Sequence, residues 1–142
     1  MKCPACKGPL REKGAGGMTL DMCWGGCGGI WFDPTELERV DARAATTLHT
    51  VWQAPPEKKV ILTEPRFCPC CPNLVLDRRW FSELKKVEID QCPKCGGIWL
   101  DDGEFSRIYD EIKGAKIAPP GWAVAISEAA ALLDQKTNQR DT

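Results

Sequence analysis

The stretch Cys92-Pro-Lys-Cys95-Gly-Gly-Ile-Trp99-Leu-Asp101 is nearly repeated earlier in the chain, as Cys23-Trp-Gly-Gly-Cys27-Gly-Gly-Ile-Trp31-Phe-Asp33. Trp31 and Trp99 are 68 residues apart, and so are the aspartates that follow them. A second close pair of cysteines precedes each copy, in Cys3-Pro-Ala-Cys6 and Cys68-Pro-Cys-Cys71. Similarity of this kind at a fixed period indicates a duplicated module.

Each module has two cysteine pairs at the spacing of a tetrahedral zinc site. Sixteen residues separate the pairs in the first module and twenty in the second. Four thiolates bind Zn²⁺ at about 2.3 Å, so each pair needs a tight turn. Glycine permits the positive φ of such turns, and Gly28-Gly29 and Gly96-Gly97 follow the second pairs. The sequence predicts two zinc ions per chain, with the metal ligands Cys3, Cys6, Cys23, Cys27, Cys68, Cys71, Cys92 and Cys95.

Two other uses of paired cysteines stay open at this point. A redox dithiol of the thioredoxin type needs a βαβ setting, which the pattern does not show. Iron also binds to four tetrahedral sulfurs, and Cys92-Pro-Lys-Cys95-Gly resembles a rubredoxin loop. A module of about 35 residues cannot bury enough apolar surface alone. Structural zinc, at about 10–16 kcal/mol, supplies what the core lacks.

Composition and charge narrow the class of protein. The 142 residues include nine cysteines, with 19 Lys plus Arg against 20 Asp plus Glu. The N-terminus lacks the apolar core of a signal peptide, and no stretch reaches the roughly 18 apolar residues of a membrane span. We therefore expect free thiols in a reducing compartment, the cytoplasm, and no membrane contact.

The local pattern predicts a small, metal-stabilised α+β fold of two tandem zinc ribbons, each with a β-hairpin and a short helix, plus a C-terminal helix. Alternation in Met18–Met22 and in Lys86–Gln91 predicts hairpin strands. Asp33-Pro-Thr-Glu36 and Asp101-Asp-Gly-Glu104 have the form of capping boxes, which is a better reading than an acid–base pair. Helices are predicted over 34–48, 102–113 and 122–135, and Trp31 and Trp99 as core of the contact between helix and ribbon.

The predicted organisation has four parts. The first ribbon with its helix covers 1–49, a Pro-containing linker covers 50–66, the second ribbon covers 67–114, and 115–142 form the last helix and a tail. The relative orientation of the two ribbons and the oligomeric state do not follow from the sequence.

The second module resembles the bacterial zinc-ribbon family named after transcription factor IIB. Ile89-Asp-Gln-Cys-Pro-Lys-Cys-Gly-Gly-Ile-Trp-Leu-Asp-Asp-Gly-Glu-Phe105 follows that family's pattern almost residue for residue. The resemblance covers about 1–48 and 66–113 and implies the same eight zinc ligands. The chain departs from the pattern twice. Three residues lie between Cys23 and Cys27 where the family has two, and Cys70 offers a spare thiol beside Cys71.

Three functions are compatible with these residues. The first is a non-enzymatic scaffold that binds another protein, since a closed four-ligand zinc site leaves no open position. The second is nucleic-acid binding through a basic and aromatic hairpin, Arg78, Arg79, Trp80, Lys85 and Lys86. Against it, eight thiolates carrying −8 and two zinc ions carrying +4 bring the formal charge of −1 to about −5. The third is a thiol or zinc redox sensor using Cys70. The single histidine, His49, has no clustered partner, and no enzyme motif is present.

Overall fold

The computed structural model describes residues 1–15, 17–40, 42–48, 64–82 and 85–115, together with Val124, Ile126, Glu128 and Ala131. Six short strands form one antiparallel sheet, accompanied by two α-helices and a 3₁₀ turn at Leu37–Arg39. The strands are β1 Arg11–Ala15, β2 Met18–Met22, β3 Ile30–Phe32, β4 Asp77–Trp80, β5 Glu88–Gln91 and β6 Ile98–Leu100. The helices are α1 Ala42–Thr46 and α2 Glu104–Ala115.

The two modules are joined in the middle of the sheet. The strand order is β1-β2-β3-β6-β5-β4, so the second module mirrors the first across the β3–β6 pair. In that pair Trp31 lies opposite Trp99, and Ile30 and Phe32 lie opposite Leu100 and Ile98. The third strand of each module was not predicted, because a three-residue apolar run has no alternation to reveal it.

Alternation along the central strands separates two apolar cores. Ile30 and Phe32, like Ile98 and Leu100, face a core that includes the buried side chains of both helices. Phe32 stacks on Phe105 of the other module's helix, with ring centroids 6.4 Å apart. Trp31 and Trp99, which point the opposite way, pack among the buried cysteines. The tryptophans are therefore core residues as predicted, but on the face opposite the helices.

Each tryptophan of the pair packs on a glycine of the other module. A Cβ atom added to Gly97 would overlap the indole of Trp31, and one added to Gly29 would overlap the indole of Trp99. We call these two contacts the reciprocal clasp. They give Gly29 and Gly97 a role different from the predicted one, because the positive φ belongs to the neighbouring Gly28 (82°) and Gly96 (77°).

The two predicted hairpins are present. β1 pairs with β2 and β4 with β5, both antiparallel. Leu20 and Met22 are buried and Met18 is half-buried, as the alternation requires. In the first hairpin Gly14 and Ala15 belong to β1, and Ala15 pairs with Met18 of β2.

The first predicted helix, over 34–48, is wrong as a continuous helix. A capped turn and the 3₁₀ segment come first, and α1 covers only Ala42–Thr46. The interruption lies before α1, where Asp33 and Glu36 hold a capped turn and Val40 is buried in the core. The second predicted helix is confirmed two residues later than expected, with Phe105, Ile108 and Ile112 buried.

Only part of the C-terminal prediction falls on described residues. Val124, Ile126, Glu128 and Ala131 are helical, and Ile126 is buried in the core beneath the two helices while Val124 is exposed. Trp122, Ala129 and Leu133 lie outside the described residues, as do His49 and most of the linker. The proposed domain boundaries therefore stay predictions.

The reciprocal clasp predicts an intolerance of side chains at its glycines. Gly97→Ala should lower the free energy of unfolding by about 1–3 kcal/mol, because the methyl group needs space that the Trp31 ring occupies. Urea denaturation of the zinc-loaded protein measures it. Gly17→Ala is the control, since nothing lies within 4 Å of its Cβ, and should change stability by less than about 0.5 kcal/mol. Equal effects of both substitutions would refute the clasp.

Candidate metal centres

The first sulfur cluster gathers four cysteines from two turns of the first module. The Sγ atoms of Cys3, Cys6, Cys23 and Cys27 all lie within 4.8 Å of one another. Cys3 and Cys27 are 3.5 Å apart, and Cys6 and Cys23 are 3.4 Å apart. A tetrahedral zinc ion with bonds of about 2.3 Å separates its sulfurs by about 3.8 Å, whereas a disulfide bond is about 2.05 Å long. The spacing fits a shared metal.

The second cluster has the same composition and identifies which of two adjacent thiols joins it. Cys68, Cys71, Cys92 and Cys95 meet within 4.8 Å, and the Sγ atoms of Cys68 and Cys95 are 3.7 Å apart. Cys70 is exposed, and its thiol lies 3.7 Å from the Sδ atom of Met1. The spare thiol is thus Cys70, directed toward the N-terminus of the first module.

Backbone N–H groups support the sulfurs in the same way at all four turns. The first cysteine of each pair accepts a hydrogen bond from the N–H of the second, at 3.3 Å or 3.4 Å. The turn between Cys23 and Cys27 keeps this bond despite its extra residue. Gly25 adopts φ 77°, and a Cβ on Gly26 would lie 2.5 Å from the Cys23 sulfur. Glycines absorb the insertion, so the widened turn still delivers both sulfurs.

Electrostatics in the clusters favour a bound cation. The hydrogen bond from the Cys27 thiol lowers the pKa of Cys3 to about 5, and the same interaction, with burial, raises the pKa of Cys27. Burial is likewise the main cause that raises the pKa of Cys68. Crowded sulfurs therefore resist forming four thiolates together unless a positive ion offsets their charge. The eight cysteines fit two zinc ions, whose binding would release protons.

A buried ion network lies close to the second cluster, and no sequence pattern predicts it. Arg66 falls in the predicted linker but is buried, and its Nη1 atom lies 2.9 Å from Asp90 and 2.7 Å from Asp101. Trp99 donates its indole N–H to Asp101 at 3.0 Å. The network ties the segment before Cys68 to β5 and to the start of α2, and thereby fixes the turns that carry the sulfurs.

Among the residues that the structure describes, the first module has no corresponding network. Its position corresponding to Arg66, two residues before the first cysteine, is occupied by Met1. Asp33 instead accepts hydrogen bonds from the N–H and hydroxyl of Thr35 and from the N–H of Glu36. The buried indole N–H of Trp31 has no hydrogen-bond partner in the described part of the chain. The two modules therefore differ at the indole N–H, which is hydrogen-bonded in Trp99 but not in Trp31 within the described residues.

The predicted capping box is reciprocal at Asp33 and Glu36, whereas in the second module Glu104 caps the Asp101 N–H and the Asp101 carboxylate is held by Arg66 and Trp99. Glu36 accepts the N–H of Asp33 at 2.8 Å, and Glu104 accepts that of Asp101 at 2.9 Å. Burial raises the pKa of Glu36 to about 7 and that of Glu104 to about 8. Such values also occur at catalytic acids, but here both side chains are buried and committed to the backbone.

The basic hairpin is largely neutralised by its own acids. Arg78 lies 3.5 Å from Glu88 and 3.3 Å from Asp90, and Arg79 lies 3.4 Å from Asp77. Trp80, Lys85 and Lys86 are exposed. The structure brings the five predicted residues to one end of the sheet, where both arginines are paired with acids of the same hairpin.

Metal content separates the two adjacent thiols. We expect Cys71→Ser to reduce bound zinc from two ions to one, because it removes a sulfur of the second cluster. Cys70→Ser should retain both ions, since that thiol lies outside the cluster. Elemental analysis of freshly purified protein measures this. Loss of zinc from the Cys70 variant, with full content in the Cys71 variant, would reverse the assignment.

The buried arginine should matter far more than an exposed one. Arg66→Met removes a cation from the buried Asp90, which keeps its contact with Arg78, and from the half-buried Asp101, and should destabilise the fold by about 3 kcal/mol. Arg79→Met is the matched control, because its ion pair with Asp77 is exposed and worth at most about 1 kcal/mol. Chemical denaturation compares the two. Similar losses in both variants would contradict the network's role.

Comparison with known proteins was informative for the family alone. A family model described as transcription factor zinc-finger, the TFIIB-type zinc ribbon, matches residues 2–43 and again 68–111, which together exceed half of the chain. Neither curated proteins nor solved structures gave a match. Among the described residues, no helix is both long and apolar enough to cross a bilayer. With two matching segments and two four-cysteine clusters, the chain belongs to the TFIIB-type zinc-ribbon family and carries two copies of its zinc-binding module.

Proposed function

We propose that this protein is a non-enzymatic, zinc-dependent module that binds another protein, with the eight clustered cysteines as the ligands of two structural zinc ions. The observation that carries the proposal is the closure of both clusters. Each gathers four sulfurs around one centre, which is the full complement of a structural zinc site and leaves no position for a substrate. The metal then holds a surface in place and does no chemistry.

The surface so held has the side chains of a binding face. Trp24, Phe67 and Val75 expose 43–45% of their area, and Lys13 lies over the Trp24 ring at 4.8 Å. Aromatic residues held on a rigid scaffold are enriched where proteins recognise one another. A regulatory scaffold acts by binding its partner, so its metal only has to hold the binding surface in place.

The two alternatives have less support. Nucleic-acid binding would rely on Arg78 and Arg79, whose charges are already paired within the hairpin. A redox sensor would rely on Cys70, but partial burial raises the pKa of that thiol, which lowers its reactivity. The proposal also includes a reducing, cytoplasmic setting, which nine free cysteines would require.

Peptide selection on the zinc-loaded protein tests the proposed function. We expect a phage-displayed library of random 12-residue peptides to enrich sequences that bind the zinc-loaded chain. Binding should disappear after a chelator removes the metal, because the sheet and turns then lose their shape. Labelled single- and double-stranded oligonucleotides serve as competitors over a range of salt concentrations. Strong, salt-sensitive oligonucleotide binding with no peptide enrichment would replace the proposal with the nucleic-acid alternative.

A further inference from the structure

We propose that a groove between the Cys3–Cys6 turn and the Cys68–Cys71 turn binds an extended, acidic segment of a partner protein. The partner would contribute apolar side chains and the carboxylates that flank them. The inference rests on the proposed function and specifies its surface and ligand class. This knuckle groove is lined by Lys2, Cys3, Pro4, Lys7, Phe67, Cys68, Pro69, Pro72 and Asn73. Both modules contribute, so the groove exists only because the sheet holds them together.

The size and shape of the groove suit a peptide. Its volume is about 530 Å³, within the roughly 300–1,000 Å³ range of pockets that hold ligands. Its two ends are formed by turns that the sulfur clusters hold in place. The surface is therefore formed before the partner segment binds, so binding does not include the cost of ordering these turns.

The groove wall is rigid and apolar. Phe67 is 45% exposed and pairs in an isolated bridge with Val75, which is equally exposed. The exposed Pro72 and the half-buried Pro69 add apolar surface without a backbone donor, whereas Pro4 is buried. Exposed apolar surface of this kind, here supplied by the second module, is typical of a protein-binding site.

The charge of the rim selects an acidic partner. Lys2 and Lys7 line the groove and are exposed, and none of the described residues that line it is acidic. Glu64 lies 3.8 Å from Lys7, with both side chains at least half exposed, so an incoming carboxylate can take its place. The sulfurs of Cys3 and Cys68 are buried and accept hydrogen bonds from their own turns.

The same features disfavour a nucleic acid. A phosphate chain is held by a row of cations and by several stacking platforms. The groove has two lysines and one aromatic ring. A peptide with an apolar side chain between two carboxylates would contact both lysines, the aromatic ring and the prolines. A nucleotide would leave the prolines without a complementary contact.

Selected peptides and four variants of the full chain test the proposal. We expect enriched peptides to carry Asp or Glu on both sides of an apolar residue. Phe67→Ser, and separately Lys2→Glu with Lys7→Glu, should weaken their affinity by about tenfold or more. Glu64→Gln should strengthen it about twofold, by releasing Lys7. Trp80→Ser, which removes an equally exposed aromatic (47%), should have no effect.

A charge control completes the set, and folding is checked independently. Lys85→Glu with Lys86→Glu places the same charge change on exposed residues outside the groove and should not alter affinity. Every variant must retain two zinc ions and the wild-type circular dichroism spectrum. Fluorescence anisotropy with a synthetic copy of the enriched peptide supplies the dissociation constants.

The outcomes separate this inference from the function it rests on. Peptides that bind Phe67→Ser as well as they bind the Trp80 variant would overturn the groove while leaving a protein-binding module intact. Enrichment of basic peptides would overturn the assigned charge. Absence of any zinc-dependent peptide, or preference for oligonucleotides, would overturn the proposed function together with the groove.

Discussion

The rest of the structure depends on one contact, the pairing of β3 with β6. Three residue pairs join the strands, and the reciprocal clasp locks them because each tryptophan occupies the space above a glycine of the other module. The contact places Phe32 against Phe105 and so brings the second helix over the first module's strand. A short pairing thereby turns two small ribbons into one sheet with two cores.

The metals and the sheet depend on each other. One core consists largely of side chains from the strands and helices, and the other consists largely of cysteines with Trp31 and Trp99. A ribbon of about 35 residues has too little apolar surface to fold by burial alone. Zinc closes the turns on one side of the sheet, and the shared core covers the other. The knuckle groove lies where the turns of both modules meet, so ligand binding in the groove would depend on both metals.

Sequence reasoning reached the metal chemistry and the hairpins because these depend on spacing and alternation. The four-cysteine sets, the capping boxes and the alternation around Leu20 are local patterns with a fixed physical meaning. Contacts between residues that are distant in the chain could not be predicted in this way. Nothing near Gly97 reveals that Trp31 covers it, and Arg66 reads as part of a linker until Asp90 and Asp101 are placed around it. The predicted first helix is interrupted for a different reason, because the capped turn at Asp33 and Glu36 leads into a 3₁₀ segment, which an apolar periodicity does not distinguish from an α-helix.

The reciprocal clasp also constrains how the two copies can evolve. In most duplications one copy is free to change, because the other retains the ancestral role. Here the glycine of each copy makes room for the tryptophan of the other, so a larger residue at the glycine requires a smaller ring 66 or 70 residues away in the other half. Substitutions at these positions should appear as compensated pairs across the duplication. We therefore expect the two halves to evolve together, as the two sides of the interface in an obligate dimer do.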